Sequence, residues 1–248
     1  GKSIQLNAQA ASWSRIVPSF SCQARNYFFQ MQGQNIIRGD SLFITGEKAQ
    51  VYGLSINRQD SLRKLGLRSS VIELQGLKID SLFAGQVYAD SLKINDPLID
   101  LVQEQKRQSN TLSLPVHIPL VILNHGKLAY QARNIHSLKI KDFDGVLAIQ
   151  DSITLRYSRF EELHFLPDQG THHFAVTKGQ QFDNRFSYAF EGVRIIPKRD
   201  SSRQDSSLII PNLRVFNWNQ MAWENEGLFK FEKLIIDRPQ AFITLPDS

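Results

Sequence analysis

Six histidines and 24 acidic residues are the raw material for any acid–base or metal chemistry in this 248-residue chain. Their densest meeting runs from Glu161 to His173, where His164, His172 and His173 share a stretch with Glu161, Glu162 and Asp168. A zinc site needs such donors to converge at about 2.0–2.2 Å. Asp168-Gln169-Gly170 reads as a loop instead, so no metal site is expected. Asp-Ser recurs at Asp40-Ser41, Asp60-Ser61, Asp80-Ser81, Asp90-Ser91, Asp151-Ser152 and Asp205-Ser206. A hydrolytic serine needs a histidine partner and a sharp turn, and nothing beside these repeats supplies either. Asp and Ser bond to nearby backbone, so the dipeptides read as turns that open strands. His125-Gly126 reads as another turn, and His117 shares a polar strand face with Pro115 and Pro119, where exposure is expected. Trp13, Trp218 and Trp223 would suit a sugar-stacking platform, but packing under turns is the simpler use of them. No catalytic residue, cofactor or metal ligand is expected, and the chain reads as a non-enzyme.

The bulk composition agrees. Hydrophobic residues make up 42% and charged residues 21%, which excludes disordered and collagen-like chains. Cys22 is the single cysteine, so internal disulfides and multi-cysteine metal sites are excluded. The net charge is +5, but no block of five or six basic residues occurs. Lys198-Arg199 and Arg203 are diluted by Asp200 and Asp205, so no nucleic-acid partner is expected. The longest apolar run, Leu114 to Leu123, is broken by Pro115, His117 and Pro119 and falls far short of the ~20 residues of a spanning helix. A chain that starts Gly1-Lys2 reads as a processed or cut product.

Residues that could form a site must be held by strands, because period-two alternation dominates. Leu112, Leu114, Val116, Ile118, Leu120 and Ile122 share one parity, which predicts one long strand. Pro115 and Pro119 remove donors along one side of it, so it should border a sheet. Further strands are expected around Leu42 and Ile44, from Leu74 through Leu77 to Ile79, and at Leu138 to Ile140, Ile153 to Leu155 and Ala241 to Leu245. Sixteen phenylalanines suit β surfaces. Helix signals are few: Asn57 to Leu67 and Asn217 to Gly227 fit short helices or turns, with Gly66 and Gly227 as stops.

The chain repeats itself. Tyr27 to Ile37 matches Phe186 to Ile196 in its aromatic, glycine and Ile-Ile positions. Gly85 to Pro97 matches Gly227 to Pro239 with the same Gly-to-Pro spacing of 12, and Ser137 to Asp142 echoes Ser91 to Asp96. The expected organisation is an N-terminal strand region (1–26), a first β unit (27–110), a middle β segment (111–185) and a shorter second unit (186–248), forming one continuous domain. The fold class is mainly β, a long curled antiparallel sheet from two related units with few short helices, with a β-sandwich or β-solenoid as the alternative.

The run Leu74-Gln75-Gly76-Leu77-Lys78-Ile79-Asp80-Ser81-Leu82 is followed by Asp90-Ser91-Leu92-Lys93-Ile94-Asn95-Asp96-Pro97-Leu98-Ile99-Asp100-Leu101. Together they resemble the AsmA-like proteins of Gram-negative envelopes. Leu234 to Ile243 repeats the phrase with Arg238 before its proline, and Val121 to Tyr130 is similar to the family's "aliphatic, Asn-x-Gly, strand" step. The resemblance spans residues 27–248 as pattern and about 50 residues as phrase, in strand grammar rather than an active-site signature. It implies a periplasmic β-rich body, an inner-membrane anchor outside these 248 residues, a role in outer-membrane biogenesis, and a groove that shields lipid acyl chains. This chain is short for a complete bridge between membranes.

An apolar sheet face must be covered by another sheet, a helix or a ligand. Physics alone favours a closed core, whereas the resemblance favours an open channel. The lipid-groove candidates are Leu114, Val116, Ile118, Leu120 and Ile122, with Leu92, Ile94, Leu234 and Ile236 from the repeated phrase. The alternative function is an extracytoplasmic β-domain that binds protein or glycan through exposed aromatics.

Overall fold

A computed structural model describes residues 21–30, 36–59, 63–84, 86–103, 116–132, 135–149, 153–167, 172–182, 186–197, 206–219 and 230–243. Strands β1 (Ser21–Gln30), β2 (Ile36–Thr45), β3 (Lys48–Gln59) and β4 (Arg63–Gln75) form an antiparallel meander. A five-residue helix α1 (Ile79–Phe83) and the short β5 (Val87–Tyr88) follow. The chain then returns to the sheet as two collinear pieces, β6 (Ser91–Asn95) and β7 (Leu98–Gln103), both antiparallel to β4. Next, β8 (Val116–His117) pairs in parallel with β5 in a separate two-stranded sheet.

The second meander starts at β9 (Leu120–Ala132), which lies parallel to β6 and β7. It continues antiparallel through β10 (Ile135–Ile149), β11 (Ile153–Pro167), β12 (His172–Gln181), β13 (Tyr188–Pro197) and β14 (Ser206–Phe216). It closes on another broken strand, β15 (Lys233–Asp237) and β16 (Gln240–Ile243), both antiparallel to β14. The fold is thus mainly β: among the described residues, one long curled 14-stranded sheet that is antiparallel except at the seam with β9.

Cross-strand neighbours explain why these sequences pair. On one face Ile37, Ile56, Leu67, Ile99, Leu128, Ile140, Leu163 and Val176 stand side by side across eight strands. Two residues along, Leu65, Leu101, Tyr130, Leu138, Phe165, Phe174, Ile195, Leu208 and Ala241 form a second row. A third row runs Leu42, Val51, Ile72, Ile94, Leu123, Gly145, Ser158, and resumes as Gln181, Tyr188, Val215, Leu234. Aliphatic and aromatic cross-strand pairs each add a few tenths to about 1 kcal/mol over Ala–Ala, so each row stabilises the sheet along its whole length.

Between the first and third rows lies a crease. Asn26, Gly53, Asp96, His125, Asp142, Glu162, Gly192 and Arg238 all have left-handed backbones, with φ between 46° and 62°, and fall in one band across the sheet. The inward residues that flank the band stand five apart, as in Val51 and Ile56, Leu123 and Leu128, or Tyr188 and Val193. An odd spacing keeps both on the same face only if the strand reverses its alternation at the bulge, which also bends it. A bend shared by adjacent strands curls the sheet into a trough running across the strands. At Gly192 a Cβ would sit 2.5 Å from Thr177 Oγ1, so this left-handed position admits glycine alone without displacement.

Both Gly-to-Pro phrases make broken strands, with left-handed Asp96 and Arg238 directly before Pro97 and Pro239. Asp142, in the echo of Asp96, is left-handed too. The break in β6–β7 is held by Ser69, whose Oγ donates to Asn95 O at 2.7 Å, and by Ser70, whose Oγ donates to Asp96 Oδ2 at 2.6 Å.

Several expectations are corrected. The strand expected over Leu112 to Ile122 is interrupted: β8 ends at His117, and β9 begins at Leu120 in the middle of the sheet, not at its border. Pro119 sits in the gap, where its carbonyl accepts from the Ile149 amide at 2.8 Å and no donor is required of it. Asn57–Gln59 and Arg63–Leu67 are strand, not helix or turn, because the Leu65 and Leu67 faces complete the apolar rows. Conversely Ile79, read as strand, starts α1, which buries Leu77 and Ile79 to 2% exposure. Asp90-Ser91 does open a strand, but Asp40-Ser41 lies inside β2 and Asp80-Ser81 inside α1. His125-Gly126 is a mid-strand bulge rather than a turn. The turns expected at Asp60-Ser61 and Asp151-Ser152, and Asp205 with its turn, fall outside the described residues, as does the helix or turn expected beyond Asn219, while the strand expected at Ile153 to Leu155 opens β11.

Candidate functional site: an apolar trough

The trough is filled differently at its two ends. Over the first meander, Leu77 and Ile79 of the α1 segment, Ala89 and Ile118 pack on Ala49 and Val121 of the sheet. Leu82 and Val87 press on the same cluster from above, and Ile44, Leu74 and Leu92 line it from below. Hydrogen bonds from Leu77 N to Glu47 O (2.8 Å), Lys78 N to Tyr88 O (2.9 Å) and Ala89 N to His117 O (3.1 Å) tie this cover down. Tyr88 stacks on His117 with ring centroids 4.5 Å apart, which accounts for that histidine.

Among the described residues this cover reaches as far as Leu123 and Leu147, where a cavity of about 580 Å³ begins. Leu128, Ile140 and Leu163 line one side of the crease, and Leu155, Val215 and Leu234 the other. Aromatic rings stand along the crease itself. Phe160 lies over Gly179, where a Cβ would come within 2.2 Å of its Cζ, and Phe143 lies over Gly126, where a Cβ would come within 2.4 Å of the ring. Glycine on the neighbouring strand is therefore what lets each ring lie flat in the floor. Tyr188 stacks on Phe190 at 5.8 Å and meets Trp218 edge-on at 6.1 Å, so Trp218 is a wall of the cavity. Burial pushes the Tyr188 hydroxyl pKa up, against a smaller opposing pull from Ser158, so it stays neutral in the physiological range.

Charged groups meet the cavity at one rim. Arg159 Nε donates to Asp144 Oδ2 at 2.6 Å, and the His125 amide donates to Asp144 Oδ1 at 2.8 Å. Partial burial pushes the Asp144 carboxyl up, but the His125 amide and Arg159 outweigh it and hold the pKa below the usual value. His125 Nδ1 lies 2.9 Å from Asp142 Oδ1, and that hydrogen bond, with Asp144 beyond it, raises the imidazole pKa. Lys141 pairs with Glu162 on the next strand, which lowers the Glu162 pKa. These ion pairs link neighbouring strands at the bulges. Among the described residues no three His, Cys, Asp or Glu side chains gather to hold a metal. His164 faces Ala175 and His172 faces Pro197 across the sheet; Asp168 lies outside the described residues.

The groove candidates separate. Leu92 and Ile94 lie in the apolar rows of the first half, Leu234 lines the cavity, and Ile236 shares its parity at the open edge, 46% exposed. Ile118 is buried under the cover, and Val116 is 51% exposed in β8. Leu120 and Ile122 are a correction: they alternate with Val121 and Leu123, the inward residues, and so face away from the trough. Leu114, Trp13 and Trp223 lie outside the described residues. Missed in the sequence were Leu128, Ile140 and Leu163 beyond the crease; only Leu128 carried a signal, its five-residue step from Leu123.

No family model matches this chain, and no curated protein matches it.

Proposed function

We propose that this chain is a non-enzymatic protein of the cell envelope, similar to AsmA-like proteins, that shields lipid acyl chains and passes them along its trough in support of outer-membrane assembly. The observation that carries the reading is the set of aliphatic rows that continue past the α1 cover into an open cavity. A volume of about 580 Å³ lies within the range of roughly 300–1,000 Å³ of small-molecule sites. Its lining reaches from β9 to β15, six strand spacings of about 4.8 Å, so its mean cross-section is on the order of 20 Å². That shape suits one extended hydrocarbon chain better than a compact ligand. Apolar surface of this extent left to water is costly, and acyl chains would bury it without asking for hydrogen bonds. The periplasmic setting and a membrane anchor outside the 248 residues follow from the resemblance alone.

The test is to purify the protein from envelope fractions in mild conditions, extract it and weigh what it carries by mass spectrometry. Near-stoichiometric acyl lipid is expected, together with uptake of a fluorescent phospholipid from vesicles. Protein that emerges free of lipid and takes none up overturns the proposal.

A further inference from the structure

We propose that the free edge of β15–β16 takes β1 of a second copy of this chain as a parallel neighbour, so that copies join head to tail and their troughs run on from one to the next. Among the described residues, β15 and β16 pair only with β14, and β1 pairs only with β2. Apolar side chains stand out at both ends: Ile236 is 46% exposed, Phe242 50% and Phe28 52%.

The molecule already contains the joint it would use. Broken strand β6–β7 is equivalent to β15–β16, and its second edge carries β9 in parallel. The pairing crosses the break without interruption, since Asp96 N donates to Asn124 O at 2.9 Å and Lys127 N donates to Pro97 O at 2.7 Å. A left-handed residue and a proline on an edge strand often serve to repel neighbours. Here the same pair sits inside the sheet at Asp96-Pro97, so Arg238-Pro239 does not close the edge.

Strand β1 fits the vacant place in three respects. Each meander turns an even number of times before its last strand, so β1 and β15–β16 point the same way, as β9 and β6–β7 do. Both carry a left-handed residue in the crease, and setting Asn26 beside Arg238 reproduces the placement of His125 beside Asp96. In that register the inward residues of β1, Cys22 and Ala24, stand beside Leu234 and Ile236. Arg25 then falls next to Asp237, at the position where Asn124 donates to Asn95 Oδ1 at 2.9 Å within the chain. An ion pair would replace an amide pair. Such a heterologous contact does not close on itself and yields an open series, with each copy adding about 58 Å of trough at roughly 4.8 Å per strand.

Cys22 is exposed and is the single cysteine, which makes the register testable. Under mild oxidation Leu234→Cys is expected to give a ladder of covalent dimers, trimers and longer species on a non-reducing gel. Wild type, and Leu234→Cys carrying Cys22→Ser, would stop at dimers. Sedimentation of unmodified protein should show open-ended association that Arg25→Glu and Asp237→Arg each weaken about tenfold, and that the two together restore. A monomer at every concentration, a closed dimer, a missing ladder, or a double variant no tighter than the singles overturns the inference.

Discussion

The two halves of the trough are built from the same rows and end up in opposite states. Around Ile44, Ala49, Leu74 and Leu92 the apolar face is covered by the chain's own α1, β5 and the segment at β8, and Leu77 and Ile79 are almost wholly buried. Over β9 to β15 the same face bounds a cavity. In the first half the connection of some fifteen residues between β4 and β6 folds back over the sheet as a plug. The core of the first half is thus completed by a linker rather than by a second sheet.

The sharpest break of this comparison is to truncate one leucine in each half. Leu77→Ala should cost about 2–5 kcal/mol in urea unfolding, because a tightly packed site cannot collapse around the void. Leu213→Ala, at the cavity wall, should cost less than about 1.5 kcal/mol, since its neighbours already border empty space. Equal losses would mean that the second half is as well packed as the first.

Filling the second half should convert it into a likeness of the first. A Cβ at Gly145 would meet nothing nearer than 3.9 Å, and the position lines the cavity. Gly145→Leu is therefore expected to keep the thermal midpoint within a few degrees while co-purifying lipid falls about tenfold. Undiminished lipid in that variant would place the acyl chains elsewhere.

A smaller effect concerns the crease that both halves share. Gly192→Ala forces a side chain into a left-handed backbone beside Thr177 and should destabilise by about 1–2 kcal/mol. Asn26→Gly, relieving strain in the first half, should stabilise slightly by the same measurement. If Gly192→Ala is neutral, the crease is not under conformational constraint.

The smallest expected effect is one of pH at the seam between halves. The folded His125 pKa is raised by Asp142 and Asp144 above its unfolded value near 6.5. Its contribution is therefore fully present below about pH 6.5 and is lost as pH rises through the folded value. An NMR titration should place the His125 midpoint above 6.5, and Asp142→Asn should bring it down. A midpoint at or below 6.5 would remove the carboxylates from the account.

Much of this was legible in the sequence, and the gaps have physical causes. Period-two alternation announces strands, and the matched spacing from Gly85 to Pro97 and from Gly227 to Pro239 marks the two broken ones. The crease stayed hidden because six of its eight left-handed positions are Asn, Asp, His, Glu or Arg rather than glycine. Parity also changes at the break between β8 and β9, where Ile118 and Val121 are both buried, which is why Leu120 and Ile122 look inward when read from Leu112 and yet face outward. Pairing of β9 with β6 and β7 is set by residues about 29 apart in sequence, a relation no local pattern encodes.

Among the described residues the meanders differ in length, four strands before the first break and six before the second, yet both are even. Evenness is what returns the chain to its starting direction. The architecture can therefore lengthen or shorten by whole hairpins, in increments of about 9.6 Å, and present unaltered ends to whatever adjoins it. A single strand gained or lost would turn the last one upside down. Reach is in that sense a digital property of this molecule, adjustable in steps of two strands with no redesign of its termini.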